Sequence, residues 1–465
     1  MTPQRVTPGW WWLPAFIAAA FVLYWPVLHL TPFSDDHSAL WNSGVRGIPW
    51  RNGIFRPLSD LTFRVGFWFW GTAVEGHRAI NVVVHAVNAY LLFVLCQQWT
   101  ADRSRAAGII AATLFMVYPF HQESVVWLVG RESSMGALFI LLGMVISGTA
   151  WTIRLRIILL TVALVLGLLC YEGAALLVPL AFLASALPLN QSWRELRTKL
   201  YLPALVLFAF LVLRSLQVDA DTYIIGSLQR EPVQVLENIP KVIARLFLPP
   251  EADPTTQLIR GAVLLIVLAI SGYSITRSAA LHTWRRNLIA WTVLTIVACA
   301  VGFVAGVSTI TSESDRYLYL PSAFLCALLG AIISCIASRT IRWSITLLLA
   351  IASIFLLKQN HANWMEASRI TERCVRSLPK GTVSGRVWVS GLPSDHRGAF
   401  IFRNGYPEAV ALSGGHADQV IVVPSTVPLE TALGSGLVHR GEVYHFAPRD
   451  VVLIWSTDTY TVHGD

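Results

Sequence analysis

Hydrophobic residues are gathered along this chain in long blocks, which short polar stretches separate. Each block is about 15–20 residues long, which is the length of α-helix that crosses the hydrocarbon core of a bilayer. The blocks lack the one-sided periodicity of helices that pack on a soluble core. The pattern predicts about eleven membrane-spanning helices, at residues 11–30, 80–97, 107–120, 135–152, 157–170, 173–187, 200–216, 260–276, 287–307, 318–337 and 343–357.

The apolar stretch from residue 157 to residue 187 is interrupted only near Tyr171-Glu172-Gly173. We interpret it as two short spans, because a single span would place the basic loop 194–199 outside the cell. The first block, after Arg5, has no small-residue cleavage motif before the polar stretch that follows it. We therefore expect an uncleaved anchor there rather than a signal peptide.

Composition agrees with a membrane protein and excludes two other classes. Hydrophobic residues make up 55% of the 465 residues and charged residues only 13%, with a mean hydropathy of +0.57. A soluble domain is typically about 25% charged, and a disordered chain combines low hydrophobicity with high net charge. The six cysteines form no Cys-x-x-Cys motif, so neither a zinc site nor a disulfide framework is indicated.

The net charge is +8. The basic residues that produce it lie in short loops between the predicted spans and do not form the stripe or patch that binds nucleic acid. Alternate connections between the predicted spans hold 13 basic and 2 acidic residues, and short basic loops stay on the cytoplasmic side. We therefore expect the N-terminus inside, and the remaining loops (the outer loops) and the C-terminus outside. No nucleic-acid partner is expected.

Polar residues after the last predicted span indicate a separate C-terminal region. Strand-like runs alternate there with Gly, Pro, Asn and Asp, at residues 386–389, 399–402, 419–423, 442–446 and 451–455. We predict a transmembrane domain over residues 1–358, a polar linker with a helix-like start over 359–380 and an outward-facing β-rich domain over 381–465. No repeat of about 34 residues is visible, so a tetratricopeptide array is not expected.

Two adjacent carboxylates, Asp35 and Asp36, follow the first predicted span directly. One interpretation is structural: they stay solvated, or they cap a helix that begins near Ser38, since aspartate is a good N-cap. The functional interpretation is a general base at the membrane surface, where a hydroxyl arriving from water meets a lipid-linked phosphate. The pair could also bind a divalent cation such as Mg²⁺ or Mn²⁺, although the sequence does not require a metal.

A polar stripe runs along the second predicted span. His77, Asn81, His85 and Asn88 are four, four and three residues apart, so they share one face of a helix. Polar groups inside a membrane must find partners, and hydrogen bonding between helices is one explanation of the stripe. The alternative is that it lines a water-filled site beneath the first outer loop (residues 31–79).

Three arginines, Arg56, Arg131 and Arg316, lie at predicted outer interfaces. Arginine binds phosphate through a bidentate fork and keeps its charge. A single interfacial arginine is commonly a lipid head-group anchor, but three beside acidic or aromatic residues fit a shared phosphate pocket better. Glu123 and Glu172 lie near membrane depth, where acids are costly and tend to be functional, although either could simply pair with an arginine.

Taken in order, these segments resemble the transmembrane and tetratricopeptide-repeat O-mannosyltransferases and their bacterial relatives, roughly over residues 10–340. The segments that carry the resemblance are FRPLSDLTFRVGFWFWG, GHRAINVVVHAVNAYLLF, YPFHQESVVWLVGRESS, YEGAALLVPL and SDRYLYLPS. Two positions depart from the family pattern, with Tyr171 where lysine is usual and Asp315 where glutamate is usual. The repeats are missing as well, so the resemblance does not support a protein acceptor.

The resemblance implies a GT-C superfamily glycosyltransferase, which uses a polyprenyl-phosphate sugar and a catalytic aspartate in the first outer loop. It implies that Asp35 or Asp36 deprotonates the acceptor hydroxyl, whose oxygen attacks the anomeric carbon with inversion while polyprenyl phosphate leaves. The residues it places at the substrate or the phosphate are Arg56, His77, Asn81, His85, Glu123, Arg131, Glu172, Asp315, Arg316 and Tyr317.

The expected fold is therefore an α-helical polytopic membrane protein, GT-C-like, with a small β-rich C-terminal domain. Expected partners are a polyprenyl-phosphate-linked sugar, with a mannose-like hexose as first choice, membrane lipid, and a glycan, lipid or protein acceptor. We expect a bacterial inner membrane, with the site and the C-terminus facing the periplasm or exterior. A transporter or lipid flippase is the alternative, but it should show internal repeats and broken helices at mid-membrane. A non-catalytic assembly or sensor protein would not need the acidic pair together with three arginines.

Overall fold

The computed structural model describes residues 9–48, 55–99, 105–187, 189, 191–217, 231–277, 285–378, 385–439, 442–456 and 459–462. Every one of the eleven predicted apolar blocks contains an α-helix. In chain order these helices are Trp12–Tyr24, Val74–Trp99, Ala106–Met116, Arg131–Ser147, Ile153–Leu168, Leu177–Ala186, Trp193–Gln217, Pro254–Arg277, Arg285–Ala298, Tyr319–Ser334 and Arg339–Arg376.

Five helical segments of the described chain are long and apolar enough to cross a membrane. They are Val74–Trp99, Trp193–Leu216, Arg285–Ala305, Asp315–Ser334 and Arg339–Arg376, and shorter apolar helices accompany them. The stretch 157–187 holds two helices joined by a 3₁₀ turn, Glu172–Leu176, rather than a single helix. The prediction of a polytopic α-helical membrane protein is confirmed.

Shorter helices build one end of the bundle. They are Asp35–Ala39, the π-helical turn Leu40–Val45, Pro57–Trp70, Gln122–Val125, Pro232–Arg245, Ala300–Ala305 and the 3₁₀ turn Asp315–Leu318. Pro57 starts its helix because a first-turn residue needs no N–H donor. Gly71 ends that helix at φ +57°, a conformation that side chains with a Cβ rarely adopt.

The centre of the bundle is formed by the helices Val74–Trp99, Ala106–Met116 and Tyr319–Ser334. Two of them approach closely at Gly330, where a Cβ would lie 2.5 Å from the Ala107 carbonyl oxygen. Small residues at helix contacts are typical of membrane bundles, because the backbones gain close van der Waals packing. The peripheral helix Trp193–Gln217 instead leaves large side chains such as Phe208 and Leu211 exposed, as lipid-facing helices do.

The C-terminal region contains all five predicted strand runs. The strands are β1 (Val387–Ser390), β2 (Asp395–His396), β3 (Ala399–Phe400), β4 (Val420–Val422), β5 (Leu437–His439), β6 (Glu442–Tyr444), β7 (Val451–Ser456) and β8 (Thr459–Val462). One sheet has the order β4-β1-β7-β8, in which β1 pairs parallel to β4 and β7, and β8 is antiparallel. Two short helices that the sequence analysis did not predict, Tyr406–Leu412 and Leu429–Ser435, connect strands.

The helix Arg339–Arg376 passes through the predicted domain boundary at residue 358 without interruption. No glycine or proline occurs within it, and an exposed ion pair between Glu366 and Arg369 at 3.0 Å supports its polar half. Residues 359–376 of the predicted linker are therefore helical, and residues 379 and 380 lie outside the described residues. The division into separate domains stays a prediction.

Candidate active site

The two adjacent aspartates have different environments. They are the first residues of the helix Asp35–Ala39, and the predicted helix start near Ser38 is therefore three residues too late. Asp36 is fully buried, and its two carboxylate oxygens accept the backbone N–H groups of Val129 at 3.0 Å and Phe33 at 3.1 Å. Asp36 thus ties the first outer loop to the second outer loop (residues 119–134).

Burial raises the pKa of Asp36 to about 7, although the two N–H donors and the nearby Arg78 guanidinium lower it. Asp35 is only partly buried, and its Oδ1 accepts a hydrogen bond from the Asn404 side chain at 3.0 Å. Since a general base must be reachable by its substrate, Asp35 is the better placed of the two carboxylates.

The Glu123 side chain positions the third outer segment (residues 308–319). It is 1% exposed, and it accepts the backbone N–H groups of Ser314 and Arg316, both at 2.8 Å. The Arg316 guanidinium also lies 3.5 Å from its Oε2. Burial raises the pKa of Glu123, against the lowering effect of Arg316 and the two N–H donors. Glu123 therefore fixes the backbone that carries Arg316.

Gly130 allows the second outer loop to fold this tightly. A Cβ at this position would lie 1.6 Å from the Glu123 carbonyl oxygen, so any other residue would push the two segments apart. Glycine is required here because there is no space for a Cβ. The backbone angle does not require it, since Gly130 has φ −58°. This explains why a glycine stands directly before Arg131 in the VGRESS motif.

Arg316 lies among aromatic rings beside a small cavity. Its Cζ is 5.6 Å from the centre of the Trp127 ring and 4.7 Å from that of Tyr317, and its Nη2 donates to the Tyr317 hydroxyl at 3.1 Å. The cavity, of about 20 Å³, is lined by Arg316, Tyr317, Tyr171, Ser133 and apolar residues. It has room for about one water, so a phosphate would need the cavity to widen.

Arg56 and Glu172, predicted from separate motifs, are in contact. The Arg56 guanidinium donates to Glu172 Oε2 at 2.6 Å and forms an ion pair with Glu132. Its Cζ also lies 5.1 Å from the Tyr171 ring, which lines the same cavity as Arg316. Arg214 approaches Glu172 Oε1 at 3.9 Å. Arg56 thus contacts a ring that lines the cavity of Arg316.

Asp315 has a structural partner that the sequence analysis missed. Its Oδ1 accepts from Arg245 Nη2 at 2.5 Å, and both side chains are almost completely buried. Arg245 also donates to the Ser308 carbonyl at 3.0 Å. Arg245 ends the amphipathic helix Pro232–Arg245, and nothing in its local sequence marks it out. In this structure Asp315 anchors the third outer segment, and its predicted role at the substrate stays a prediction.

The predicted polar stripe lies inside the bundle and contacts the protein itself. The Asn81 side-chain amide donates to the carbonyls of Val125 at 3.2 Å and Trp127 at 3.0 Å. His85 bonds the Tyr319 hydroxyl at 2.9 Å, and His77 bonds the Gly71 carbonyl at 3.0 Å. These contacts match the explanation of the stripe as hydrogen bonding between helices and loops.

Arg131 is also fully buried. It donates to the carbonyls of Leu128 at 3.2 Å and His77 at 2.8 Å and to the Thr62 hydroxyl at 3.2 Å, and it lies over the Phe63 ring. Arg131 and the stripe are not among the residues that line the Arg316 cavity. A role for these residues at the substrate stays a prediction; their visible role is to hold the second outer loop against its span.

Trp127 connects the aspartate loop to the cationic cavity. Its indole N–H donates to the Phe33 carbonyl at 3.3 Å, two residues before Asp35. Its ring faces Arg316 and contacts the Phe400 ring edge-on at 4.8 Å. Three outer loops and the C-terminal region therefore meet at one side chain, which the sequence analysis did not single out.

The C-terminal region covers the aspartate loop. The Asn404 side chain donates a hydrogen bond to Asp35, and its backbone N–H donates to the Ser34 hydroxyl at 3.2 Å. The backbone N–H of Ser34 in turn donates to the Ile401 carbonyl at 2.8 Å. Gly405, at φ +80°, lies so close that a Cβ would be 2.3 Å from the Ser34 carbonyl oxygen. Arg403 adds an ion pair with Glu313. No sequence signal indicated that this region contacts Asp35.

Among the described residues, no group of three or more His, Cys, Asp or Glu side chains is arranged to hold a metal ion. Two charged side chains of this region, the partly buried carboxylate of Asp35 and the cation Arg316, lie on loops that meet at Trp127. Fold and site together define a polytopic α-helical membrane protein with a charged site among the loops that join its helices.

Comparison with known proteins agrees with the resemblance stated from the sequence. The chain is 30% identical over 181 residues to the protein O-mannosyl-transferase Tmtc1 of Drosophila melanogaster, a match that covers 34% of this chain and 20% of the relative. It is 34% identical over 87 residues to TMTC3 of Mus musculus, covering 19% of this chain and 9% of the relative. The resemblance is confirmed, and the chain spans about a fifth or less of the length of these relatives. No family model matches the chain.

Solved structures with a similar outline include ArnT from Cupriavidus metallidurans. The apo structure superposes on 95% of this chain and 92% of its own with a TM-score of 0.40 and 12% identity. The structure bound to undecaprenyl phosphate covers 96% of this chain and 93% of its own with a TM-score of 0.37 and 12% identity. Scores this low carry no argument about the site.

Proposed function

We propose that this chain is an integral-membrane glycosyltransferase. In the proposal it moves a hexose, with mannose as first choice, from a polyprenyl-phosphate carrier to an acceptor hydroxyl at the outer face of a bacterial inner membrane. The resemblance to the O-mannosyltransferases supports the reaction class. The observation that carries the proposal is that the loop with the partly buried carboxylate of Asp35 and the loop with the cation Arg316 meet at Trp127, which donates to the Phe33 carbonyl and lies against Arg316.

Asp35 acts in this proposal as the general base. It removes the proton of the acceptor hydroxyl as the hydroxyl oxygen forms a bond to the anomeric carbon of the donor sugar. The bond between that carbon and the phosphate oxygen breaks, its electron pair stays on the phosphate, and the sugar is transferred with inversion. A positioned base contributes about 10²–10⁴-fold to the rate.

Arg316 receives the charge that grows on the leaving phosphate. Its guanidinium lines the cavity and lies 3.5 Å from Glu123 Oε2. The neighbouring Arg56 does not line the cavity and is paired with Glu132 and Glu172. A preorganised donor aimed at developing charge contributes about 3–4 kcal/mol to transition-state stabilisation. Arg56 has a positioning role in this scheme, because it holds the Tyr171 ring against the cavity. A divalent cation at the aspartate pair remains an addition that the scheme does not require.

Complementation of cells that lack this chain tests the proposal. Membrane lipids and surface glycans are profiled by mass spectrometry in cells carrying the natural chain, Asp35→Asn, or the control Asp418→Asn, which removes an exposed acid of the C-terminal region. We expect one hexose-bearing product to disappear with Asp35→Asn and its polyprenyl-phosphate hexose to accumulate, with the control unchanged. A full product level in Asp35→Asn cells contradicts the proposal.

A further inference from the structure

A second, larger cavity lies between the first outer loop and the C-terminal region. It has a volume of about 230 Å³. One wall is the loop and helix that contain Asp35, another is the end of the helix Arg339–Arg376, and the third is the helix Tyr406–Leu412. Pockets for drug-sized ligands are about 300–1,000 Å³, so this one suits a smaller group such as a single sugar ring.

Two walls of the cavity belong to the segments that also hold the proposed base in place. His37, in one wall, follows Asp35 by two residues in the same helix, so the two side chains point to different sides of that helix. The opposite wall, the helix Tyr406–Leu412, begins two residues after Asn404, whose side chain donates a hydrogen bond to Asp35. Asp35 and Asn404 do not line the cavity themselves, but their hydrogen bond joins the segments that form two of its walls.

His37 is an unused polar group in this wall. Its side chain is 5% exposed, and neither ring nitrogen makes a hydrogen bond of good geometry to the described residues, although the Pro32 carbonyl is close enough to interact with the ring. Burial lowers the pKa of His37 to about 3, an effect that the nearby Pro32 carbonyl partly offsets. The ring is therefore neutral, with one N–H donor and one acceptor nitrogen. A buried polar group without a partner is costly, and a ligand in the cavity would supply the partner.

The remaining polar groups favour a neutral, hydroxyl-rich ligand. The hydroxyls of Thr371 and Ser413 each donate to a backbone carbonyl at 2.9 Å, so their lone pairs are left to accept from a ligand. Glu372 and Arg376 both line the cavity and form an ion pair with each other. The wall thus offers mainly acceptors and no uncompensated charge, which matches the many O–H donors of a sugar ring.

We infer that this cavity binds one sugar residue of the acceptor. The C-terminal region then has a defined purpose, since the helix Tyr406–Leu412 supplies one wall of the acceptor pocket. This inference rests on the proposed function, from which it takes the direction of transfer. The binding of a sugar ring in the cavity can nevertheless be measured without donor and without turnover.

Two variants separate ligand binding from folding. Ser413→Trp places a bulky side chain at the exposed rim of the cavity. His37→Phe keeps a ring that can stack on Phe402, 5.7 Å away, and removes only the ring nitrogens. Because those nitrogens make no hydrogen bond of good geometry to the described residues, we expect His37→Phe to fold with unchanged or higher thermal stability. Thr426→Trp, at an exposed site of the same region that does not line the cavity, is the matched control.

The experiment is saturation-transfer NMR on the full chain in lipid nanodiscs. The probes are methyl α-D-mannopyranoside, methyl α-D-glucopyranoside and cyclohexanol, and a second arm carries a glucosyl diacylglycerol in the disc as competitor. We expect a signal from at least one glycoside and none from cyclohexanol, with at least a fivefold loss in Ser413→Trp and His37→Phe and no loss in Thr426→Trp. If the glycolipid competes with the glycoside, the bound ring is assigned to a lipid acceptor. If it does not compete, the ring is assigned to a soluble glycan.

Two results would overturn the inference: no glycoside signal in the natural chain, or an equal signal in the natural chain and Ser413→Trp. A failure of the proposed function is distinguishable from either. If Asp35→Asn cells keep the product while glycosides still bind in the cavity, the reaction is wrongly assigned and the pocket stands. If transfer depends on Asp35 but Ser413→Trp binds glycosides as well as the natural chain, the pocket alone is wrongly assigned.

Discussion

Arg316 and Trp127 come from two different outer loops, and the guanidinium carbon of Arg316 lies 5.6 Å from the centre of the Trp127 indole ring. The same indole donates its N–H to the carbonyl of Phe33 at 3.3 Å, next to the aspartate pair. A cation over an indole face is stabilised by the ring quadrupole. This contact therefore fixes the distance between the cationic cavity and the loop that carries Asp35.

Asp36→Ala should destabilise the protein. The substitution removes the acceptors of two backbone N–H groups, Val129 and Phe33, in a fully buried place. A buried donor left unsatisfied costs about 1–3 kcal/mol, so we expect a clearly lower thermal unfolding midpoint in detergent. Asp418→Ala, at an exposed site, serves as the control. An unfolding midpoint equal to that of the natural chain would show that Asp36 does not tie the two loops together.

The pKa of Asp36 predicts a pH dependence of stability. Its folded-state pKa is about 7, whereas an unfolded aspartate titrates near about 3.9. Between these values the folded state holds a proton that the unfolded state releases, so this contribution to stability is complete below pH about 4 and is lost as pH rises through about 7. We expect the unfolding midpoint of the natural chain, relative to Asp36→Asn, to fall from pH 5 to pH 8. A difference that does not change with pH would contradict the raised pKa.

Arg316→Lys should weaken donor binding. Lysine keeps the positive charge but loses the planar fork that fits a phosphate. A hydrogen bond to a charged group contributes about 1.5–3 kcal/mol, so we expect roughly a tenfold or greater loss of affinity for a polyprenyl phosphate, measured by titration in nanodiscs. Arg369→Lys, on the exposed face of the helix Arg339–Arg376, should bind as the natural chain does. Equal affinity in both variants would indicate that Arg316 only anchors the loop.

The buried pair of Arg245 and Asp315 should behave as a structural unit. Arg245→Ala leaves the Asp315 carboxylate buried and unpaired, which costs about 3–5 kcal/mol. The double variant Arg245→Met, Asp315→Leu removes both charges and should recover most of that loss. Thermal unfolding compares the three chains. If the double variant recovers stability but loses all donor turnover, Asp315 has the substrate role that the sequence resemblance implies.

The membrane-spanning helices could be predicted from the sequence because bilayer thickness sets the length of each apolar block, and this information is local. Five of the eight described strands of the C-terminal region were also visible as short strand-like runs, and β2, β5 and β8 were not predicted. The helix Tyr406–Leu412 was not, because its seven residues are too few to show a period. The extension of the last span to Arg376 was predicted only as a helix-like start of the linker, because its sequence is polar, although it contains no helix-breaking residue.

The motifs could nominate Asp35 and Asp36 but could not rank them by environment. The difference between them depends on partners that are distant in sequence. The backbone N–H of Val129, 93 residues away, donates to Asp36, and the side chain of Asn404, 369 residues away, donates to Asp35. Arg131 shows the same limit. Its position at a predicted interface suggested phosphate binding, yet its donors are used by carbonyls of the adjacent loop and span. Such roles depend on tertiary contacts that residue type and spacing do not encode.

The most direct test of the account is the turnover of a polyprenyl-phosphate hexose by purified Asp35→Asn. The full chain is reconstituted in nanodiscs, membranes from cells lacking the chain supply the acceptor, and release of polyprenyl phosphate is followed with time. We predict that kcat falls by about 10²–10⁴-fold while donor affinity is unchanged and Asp418→Asn retains full activity. Turnover by Asp35→Asn within twofold of the natural chain would contradict the assignment of Asp35 as the base.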